Sequence, residues 1–358
     1  MVRVTTGRRT TLVTGGAGYF GTLLVQRLVA GGAPVRILDV HRPDVVAPGV
    51  EFVQGDIRDR DTVERACRDV DVVHHNVALV PLARDREGFW SVNEGGTRNL
   101  LDAAVACGVR KVVHMSSSAV YGAPASNPVT EATPPTPGEE YGRAKLAADV
   151  LCRAFRARGL DVTILRPRTI LGHGRLGIMQ ILFEWVRQGA PVPVLGDGRN
   201  VYQFVHADDL AEACLAAAER PCGPEYNIGG EPFGTMAEAL RGLVEHAGTG
   251  SRIVSLPMAP VAVMMRAAGA LGVSPLGPYH ALMYGRSLWF DGRLARQDLG
   301  YSPKFGNVEM LRQSYDWYLS HRSEILARRA GSPHSKAVSH GVLAWLPTAL
   351  AWLPSAGR

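Results

Sequence analysis

The sequence is poor in cysteine and lacks long hydrophobic runs. Five cysteines are spread over 358 residues and none stands in a C-x-x-C pair, so neither a disulfide framework nor a zinc site of that spacing is expected. No run of 18 or more apolar residues occurs, which argues against a membrane-spanning helix. The apolar run after Arg8 and Arg9 is too short for an export signal. We therefore expect a cytoplasmic protein with reduced thiols.

Excess charge is also scarce outside the end of the chain. The formal net charge is +6, but residues 319–358 hold five Lys or Arg and one Glu, a net +4. The remainder of the chain is close to neutral, and no basic patch is interleaved with aromatic residues. The sequence therefore predicts no nucleic-acid partner.

What the sequence does contain is a glycine-rich turn between a strand and a helix. The stretch Thr10–Gly21 reads TTLVTGGAGYFG, an apolar strand followed by three glycines at three-residue spacing, and leucines at helical spacing come next. This layout places a pyrophosphate on backbone N–H groups at a helix N-terminus, and glycine permits the close approach. The residues expected to contact the pyrophosphate are Gly15, Gly18, Tyr19, Phe20 and Gly21.

The second predicted strand ends in an acid. Val35–Leu38 is followed by Asp39, 18 residues after the last glycine of the turn. A carboxylate at this place accepts hydrogen bonds from a ribose diol and repels a 2′-phosphate, so it predicts NAD rather than NADP as the cofactor. After the next strand, Asp56 and Ile57 are placed to hold the adenine by a hydrogen bond and by packing. A helix N-cap is an equal interpretation of Asp56.

Strands and helices continue to alternate, which predicts an α/β fold with a doubly wound parallel sheet of the Rossmann type. Ligands bind at the carboxyl ends of strands in such sheets, so Asn76 and Ala78, which follow a strand, are expected beside the cofactor. His74 and His75 precede them without a third ligand at metal spacing. We interpret both histidines as structural and expect no metal.

A tyrosine and a lysine lie one helical turn apart in the helix predicted to begin near Glu140. Tyr141 and Lys145 are four residues apart, so they share one face of that helix. A lysine cation near a phenol favours the phenolate and lowers its pKa. A serine hydroxyl from residues 116–118, at the end of the preceding strand, can orient a substrate oxygen. The pattern predicts proton transfer by the tyrosine at a hydroxyl-bearing carbon.

These motifs resemble those of the extended short-chain dehydrogenase/reductases, the family that includes NAD-dependent nucleotide-sugar epimerases and dehydratases. The resemblance runs from about Thr10 to Tyr318. It implies a Rossmann-type NAD domain over residues 1–165, with elements of about 200–230 returning to it, and a smaller substrate lobe over 166–320. It also implies Ser117, Tyr141 and Lys145 as catalytic residues, with Ser116 and Ser118 open as alternatives for the serine, and Asn93 and Pro167 as cofactor contacts.

The chain departs from parts of this family. In 4,6-dehydratases an Asp-Glu pair follows the catalytic hydroxyl, and Ser118 and Ala119 stand there instead, which disfavours dehydration. An Asn and an Arg that touch the nucleotide diphosphate in epimerases are replaced by Thr169 and Tyr202. The arginines considered as replacements are Arg168, Arg175, Arg199 and Arg286.

Three functions follow from the resemblance. The sequence favours a nucleotide-sugar epimerase. A dehydrogenase or reductase of an apolar hydroxy or keto compound, similar to the hydroxysteroid dehydrogenases, would suit the methionine-rich lobe. A catalytically silent NAD-binding regulator is the third. In each case we expect a small-molecule ligand and a homodimer.

Residues 327–358 form a tail beyond the resemblance, basic at first and then apolar. Trp345 and Trp352 near a basic segment suit the interface between water and lipid. Packing of the same tryptophans on the body or on a second subunit is the alternative. A peripheral membrane contact and a subunit contact therefore both stay open.

Overall fold

The computed structural model describes residues 10–327, except 44, 82–84, 176–177, 221–224, 271–279, 281–282 and 284. The predicted docking tail lies, apart from its first residue, outside the described residues. Within the described part, four cysteines are free thiols, no helix is long and apolar enough to cross a membrane, and no cluster of three metal-ligating side chains occurs.

Seven strands form the central sheet, and every pairing within it is parallel. The strands are β1 (Thr10–Thr14), β2 (Val35–Asp39), β3 (Val50–Gln54), β4 (Val70–His75), β5 (Lys111–Met115), β6 (Asp161–Pro167) and β11 (Glu225–Ile228). Their order across the sheet is β11-β6-β5-β4-β1-β2-β3. The chain reverses direction along the sheet between β1 and β4, so their carboxyl ends open a crevice there. The predicted Rossmann-type fold is confirmed.

Among the described residues, six short strands lie outside this sheet and pair two by two. They are β7 (Thr169–Leu171) with β10 (Phe204–His206), β8 (Val192–Leu195) with β13 (Ile253–Leu256), and β9 (Val201–Tyr202) with β12 (Gly234–Thr235). The helices are α1 (Tyr19–Ala30), α2 (Arg60–Cys67), α3 (Arg86–Gly88), α4 (Gly96–Ala106), α5 (Glu140–Ala157), α6 (Met179–Arg187), α7 (Ala207–Glu219), α8 (Met236–Ala247), α9 (Met258–Ala270), α10 (Arg293–Leu299) and α11 (Asn307–Ala327).

One predicted helix is interrupted. The sequence indicates a single helix over Trp90–Cys107, but Phe89–Gly95 winds as a π-helix between α3 and α4. In this segment the Asn93 side chain accepts a hydrogen bond from the Leu79 N–H at 2.8 Å and donates to the Leu79 carbonyl at 3.0 Å. π-Helical turns of this kind occur inside α-helices at functional sites. Here the turn ties the helix to the loop after β4.

Alternate residues of each strand pack on opposite faces of the sheet. Val13 lies in a core with Leu24 of α1 and Leu210 of α7. Its neighbour Leu12 lies in a second core with Leu100 of α4. Because successive strand side chains point to opposite faces, one apolar run supplies both cores.

A third core belongs to the smaller lobe, which is built from α6, α8, α11 and the β8/β13 pair. Phe183 and Leu243 are fully buried in this core. At its edge the Glu184 carboxylate accepts hydrogen bonds from the Tyr318 hydroxyl at 2.8 Å and from the guanidinium groups of Arg187 and Arg322. The bonds from Tyr318 and Arg322 fasten α6 to α11, and all three partners hold the pKa of Glu184 well below its ordinary value despite its partial burial.

Candidate active site

The glycine turn leaves no room for side chains where a pyrophosphate would approach. Gly15 has φ +70°, and a Cβ on Gly21 would lie 2.0 Å from the Gly15 carbonyl oxygen. Gly18 is the N-cap of α1 and donates its N–H to the Gly15 carbonyl at 3.1 Å. The turn thus brings backbone up to a helix N-terminus with no side chain between, which is the cradle a dinucleotide needs. The residues fit the predicted cofactor.

Asp39 does more than end β2. Its Oδ2 accepts a hydrogen bond from the Ala17 N–H of the glycine turn at 3.0 Å, and its Oδ1 accepts one from the His41 N–H at 3.0 Å. The carboxylate lines the main cavity beside the turn. Its negative charge therefore stands where the adenosine ribose is expected, and one of its oxygens also shapes the turn.

The adenine end of the site contains a cation that the sequence analysis missed. Arg58 donates to both carboxylate oxygens of Asp56, at 2.6 Å in the shortest contact, and this pairing lowers the pKa of Asp56. Asp56 lines the cavity and is not the N-cap of α2, since Asp59 fills that place. Ile57 is buried, and its side chain occupies the space that a Cβ on Gly96 would enter.

The loop after β4 lines the cavity on one side and is bound by Asn93 on the other. Asn76 and Ala78 line the cavity, as does Pro167 at the end of β6. Asn93 stands outside the cavity wall and binds the backbone of Leu79 with its side-chain amide. The structure therefore gives Asn93 a positioning place behind the loop. His75, at the end of β4, is buried between the hydroxyls of Thr14 and Thr97, which fits a structural histidine.

The three catalytic candidates meet at the carboxyl end of β5. Ser117 accepts the Ala119 N–H at 3.1 Å, and its hydroxyl is hydrogen-bonded to the phenol of Tyr141. The Lys145 ammonium donates to the Met115 carbonyl at 2.6 Å. Of the three serines left open by the sequence, Ser117 is the one joined to the tyrosine; Ser118 bonds instead to Arg168.

In the protein alone, burial outweighs the predicted effect of the lysine on the pKa of the tyrosine. Burial raises the pKa of Tyr141 to about 12, and the Ser117 hydrogen bond and the Arg175 charge only partly oppose it. Burial also lowers the pKa of Lys145 to about 8, against the pull of Asp149. Lys145 points its ammonium at a carbonyl rather than at the phenol, so the side chains alone do not activate Tyr141.

A buried ion-pair network behind Lys145 also escaped the sequence analysis. Asp149, one turn further along α5, accepts two hydrogen bonds at 2.9 Å from the Arg166 guanidinium, and both side chains are almost fully buried. Arg166 also contacts Glu225 on β11, which pairs with Arg153 near the surface. The sequence feature that could have revealed this network is Asp149, a carboxylate four residues after Lys145 on the same face of the helix.

The cavity extends past these residues into the smaller lobe, with a volume of about 1640 Å³. We call its part around the glycine turn, Asp39, Asp56 and Asn76 the cofactor half. The substrate half is lined by Arg168, Thr169, Arg175 and Tyr202, and by an apolar wall of Ile181, Leu182, Trp185, Leu240 and Met265. Of the four arginines considered for a diphosphate, Arg199 and Arg286 are absent from this lining.

Comparison with known proteins agrees with this geometry. Residues 11–229 match the model of the NAD dependent epimerase/dehydratase family. The chain belongs to this family. The members of this family are NAD-dependent enzymes, and the glycine turn of this chain has the shape that NAD requires.

Three similar proteins show the range of its relatives. An uncharacterized protein of Sinorhizobium fredii is 52% identical, covering 97% of this chain and 87% of its own length. Sterol demethylase protein B of Methylococcus capsulatus is 35% identical, over 67% of this chain and 75% of its own. The crystal structure of UDP-glucose 4-epimerase from Thermotoga maritima with UDP-glucose has a TM-score of 0.74 at 26% identity, covering 87% of this chain and 99% of that one.

Proposed function

We propose that the protein is an NAD-dependent nucleotide-sugar epimerase that inverts a hydroxyl-bearing carbon. The observation that carries this is the hydrogen bond between the half-buried Ser117 and the buried Tyr141, both of which line the cavity where its cofactor half meets its substrate half. A carbinol bound at that junction would be able to exchange a proton with the phenol while facing the cofactor. The likeness to a UDP-glucose 4-epimerase along 87% of the chain supports a sugar nucleotide as the ligand.

Each catalytic side chain has a distinct task. Ser117 donates a hydrogen bond to the reacting oxygen and holds it in place. Tyr141 accepts the hydroxyl proton as the alcohol becomes a ketone and returns it at the end. Lys145 is fixed by its hydrogen bond to the Met115 carbonyl and supplies positive charge at the carboxyl end of β5. The glycine turn and Asp39 would hold NAD, which would supply hydride transfer at the reacting carbon.

The raised pKa of Tyr141 in the protein alone is compatible with this scheme. Its pKa of about 12 in the protein alone keeps the phenol protonated. The oxidised nicotinamide ring is a cation, and a nearby cation favours the phenolate. A nicotinamide cation held by the glycine turn would therefore lower the pKa of Tyr141 and help its phenol to accept a proton.

The test is a panel of nucleotide sugars containing neutral and acidic members: UDP-glucose, UDP-galactose, UDP-glucuronate and UDP-galacturonate. We expect at least one pair to interconvert with catalytic amounts of NAD, with deuterium at the reacting carbon retained in the product. Tyr141→Phe is the matched control and should be silent. If no member is converted and none protects the protein in thermal melts, the proposal fails.

A second candidate is a dehydrogenase of an apolar hydroxy compound. It is favoured by the apolar wall of the substrate half, where Met265 lines the cavity while Met264 is exposed, and by the likeness to sterol demethylase protein B. Incubation with a sterol-like alcohol and excess NAD separates the two, because a dehydrogenase accumulates NADH in proportion to the alcohol, whereas an epimerase accumulates none.

A further inference from the structure

Helix α9 exposes a continuous apolar stripe. Pro260, Val263, Met264 and Ala267 are all exposed, and their spacing of three and four residues places them along one face of the helix. Val263 is 65% exposed and Met264 is 61% exposed. The solvent face of a helix on a globular protein normally carries charged and polar residues. A stripe of this composition therefore indicates a surface that another body covers.

The other side of α9 belongs to the cavity. Val261 and Met265, also four residues apart, line it. The helix is thus apolar towards the cavity and towards the solvent. Its 13 residues span about 20 Å at 1.5 Å per residue, which is too short to cross a bilayer. A short helix with an exposed apolar face can instead lie flat on a bilayer, with that face among the acyl chains.

The segment that contains this stripe is positively charged. Residues 246–290 contain three arginines and no Asp or Glu, whereas at the chain's average of 33 acids in 358 residues a stretch of this length would hold about four. Arg286 is exposed. It lies beside the first turn of α9, because a Cβ on its neighbour Gly285 would be 3.3 Å from the Met258 sulfur. The stripe therefore has a cation at its edge, outside the cavity lining.

This charge decides which partner the stripe fits. In a symmetric dimer the same patch faces itself, so the arginines around α9 would be brought towards one another. Residues 328–358 hold four Lys or Arg and no acid, so the chain's own tail carries the same sign. A bilayer with anionic headgroups offers the opposite charge beside apolar acyl chains, and each Lys or Arg near such a surface strengthens the binding.

We propose that the protein docks on an anionic bilayer through α9, with the stripe from Pro260 to Ala267 among the lipid chains and Arg286 at the headgroups. The cavity wall formed by Val261 and Met265 then stands directly behind the docked face, one helix thickness of about 10 Å away. This inference goes beyond the proposed function and does not depend on it, because the stripe lies outside the cavity.

The experiment measures co-sedimentation of the full chain with vesicles of phosphatidylcholine alone and of an equimolar mixture with phosphatidylserine. We expect the wild type to bind the mixed vesicles more tightly, and less so as the salt concentration rises. Val263→Asp combined with Met264→Asp should weaken this binding by about 10-fold, because two apolar contacts are lost. Arg286→Gln should weaken it by about 5-fold, and on the mixed vesicles alone.

The matched control for the double variant is Val105→Asp combined with Val150→Asp. It places the same two charges on exposed apolar positions of α4 and α5. We expect this control to bind the mixed vesicles as the wild type does. NAD affinity, measured by calorimetry, should be unchanged in every variant and reports that the fold is intact.

Three results would overturn the inference. The first is that the wild type does not bind the mixed vesicles. The second is that the α9 double variant or Arg286→Gln binds them as tightly as the wild type, which would assign the contact to another segment such as residues 328–358. The third is a fall in the mass of the double variant, measured by light scattering without lipid, which would make the stripe a subunit interface. The wild type and Arg286→Gln decide the matter if the double variant is unstable.

Discussion

The two halves of the cavity are built by different means. The cofactor half uses backbone: a positive φ at Gly15, the N-cap at Gly18 and the close approach of Gly21 to Gly15. The substrate half uses side chains from separate segments, such as Arg168 after β6 and Tyr202 on β9. A backbone site needs particular residues at fixed spacing within one short stretch. A site made of side chains needs only that residues distant in the sequence come together in the fold. Such a site therefore has no characteristic spacing by which it could be recognised in the sequence.

This difference predicts where substitutions act. Changes in the cofactor half should alter NAD affinity whatever the substrate, whereas changes in the substrate half should alter substrate selection with the cofactor still bound. Tyr141 lies where the two halves meet. Its substitution should separate turnover from NAD affinity, because the ring helps form the site and only the hydroxyl is proposed to transfer a proton.

Tyr141→Phe has the largest expected effect. We expect turnover to fall by about 10³-fold, within the range for loss of a general acid–base group, while NAD affinity stays nearly unchanged. Steady-state kinetics and titration calorimetry measure the two quantities. Retention of more than about a tenth of the activity would show that another group transfers the proton.

Gly21→Ala tests the backbone cradle. The new Cβ would meet the Gly15 carbonyl oxygen at 2.0 Å, so the turn must shift. We expect NAD affinity to fall by about 100-fold, which corresponds to an overpacking cost near the top of the usual range. Gly31→Ala, at the other end of α1 with its nearest contact at 3.4 Å, is the control. Equal losses in both variants would refute a local effect.

Glu184→Gln tests the smaller lobe without touching the cofactor half. Since the folded-state pKa of Glu184 is depressed, its stabilisation is present above its ordinary pKa and is lost as the pH falls toward the folded value. We expect the variant to lose about 2 kcal/mol in free energy of unfolding at pH 7. The difference should shrink below about pH 4. Urea denaturation at the two pH values measures this, with exposed Glu245→Gln as the control. A pH-independent difference would assign the loss to packing.

Asp39→Asn should have the smallest effect. The wild type should bind NAD more tightly than NADP, because the carboxylate repels a 2′-phosphate. The amide oxygen can still accept from the Ala17 N–H, so the variant removes the charge while keeping that hydrogen bond of the turn, and it loses the bond from the His41 N–H. We expect the preference to narrow by about 10-fold, or about 1.4 kcal/mol. Asp39→Ala should also loosen the turn. Equal or tighter NADP binding by the unmutated protein would contradict the assignment.

The sequence was sufficient for the features that depend on local pattern. Three features can be recognised within a few residues each: the glycine turn, the acid at the end of β2 and the Tyr141/Lys145 spacing. The parallel sheet was predicted from the alternation of strands and helices. It was insufficient where contact depends on convergence. Arg168 could be named only as one of four arginines, because nothing in its neighbours reveals that it meets Ser118. The residue spacing shows the lysine near Tyr141 but does not show the burial that raises the pKa of Tyr141 in the protein alone.

The network behind Lys145 has a consequence for how tolerance to substitution should be mapped on this protein. Arg153 has a side chain that is 39% exposed, so a scan that ranks positions by exposure would group it with neutral surface sites. Yet through Glu225 and Arg166 it belongs to the set of charges that ends at Asp149, one turn from Lys145, the proposed catalytic lysine. Substitution of Arg153 is therefore expected to alter the electrostatics near Lys145 as well as the stability of the fold.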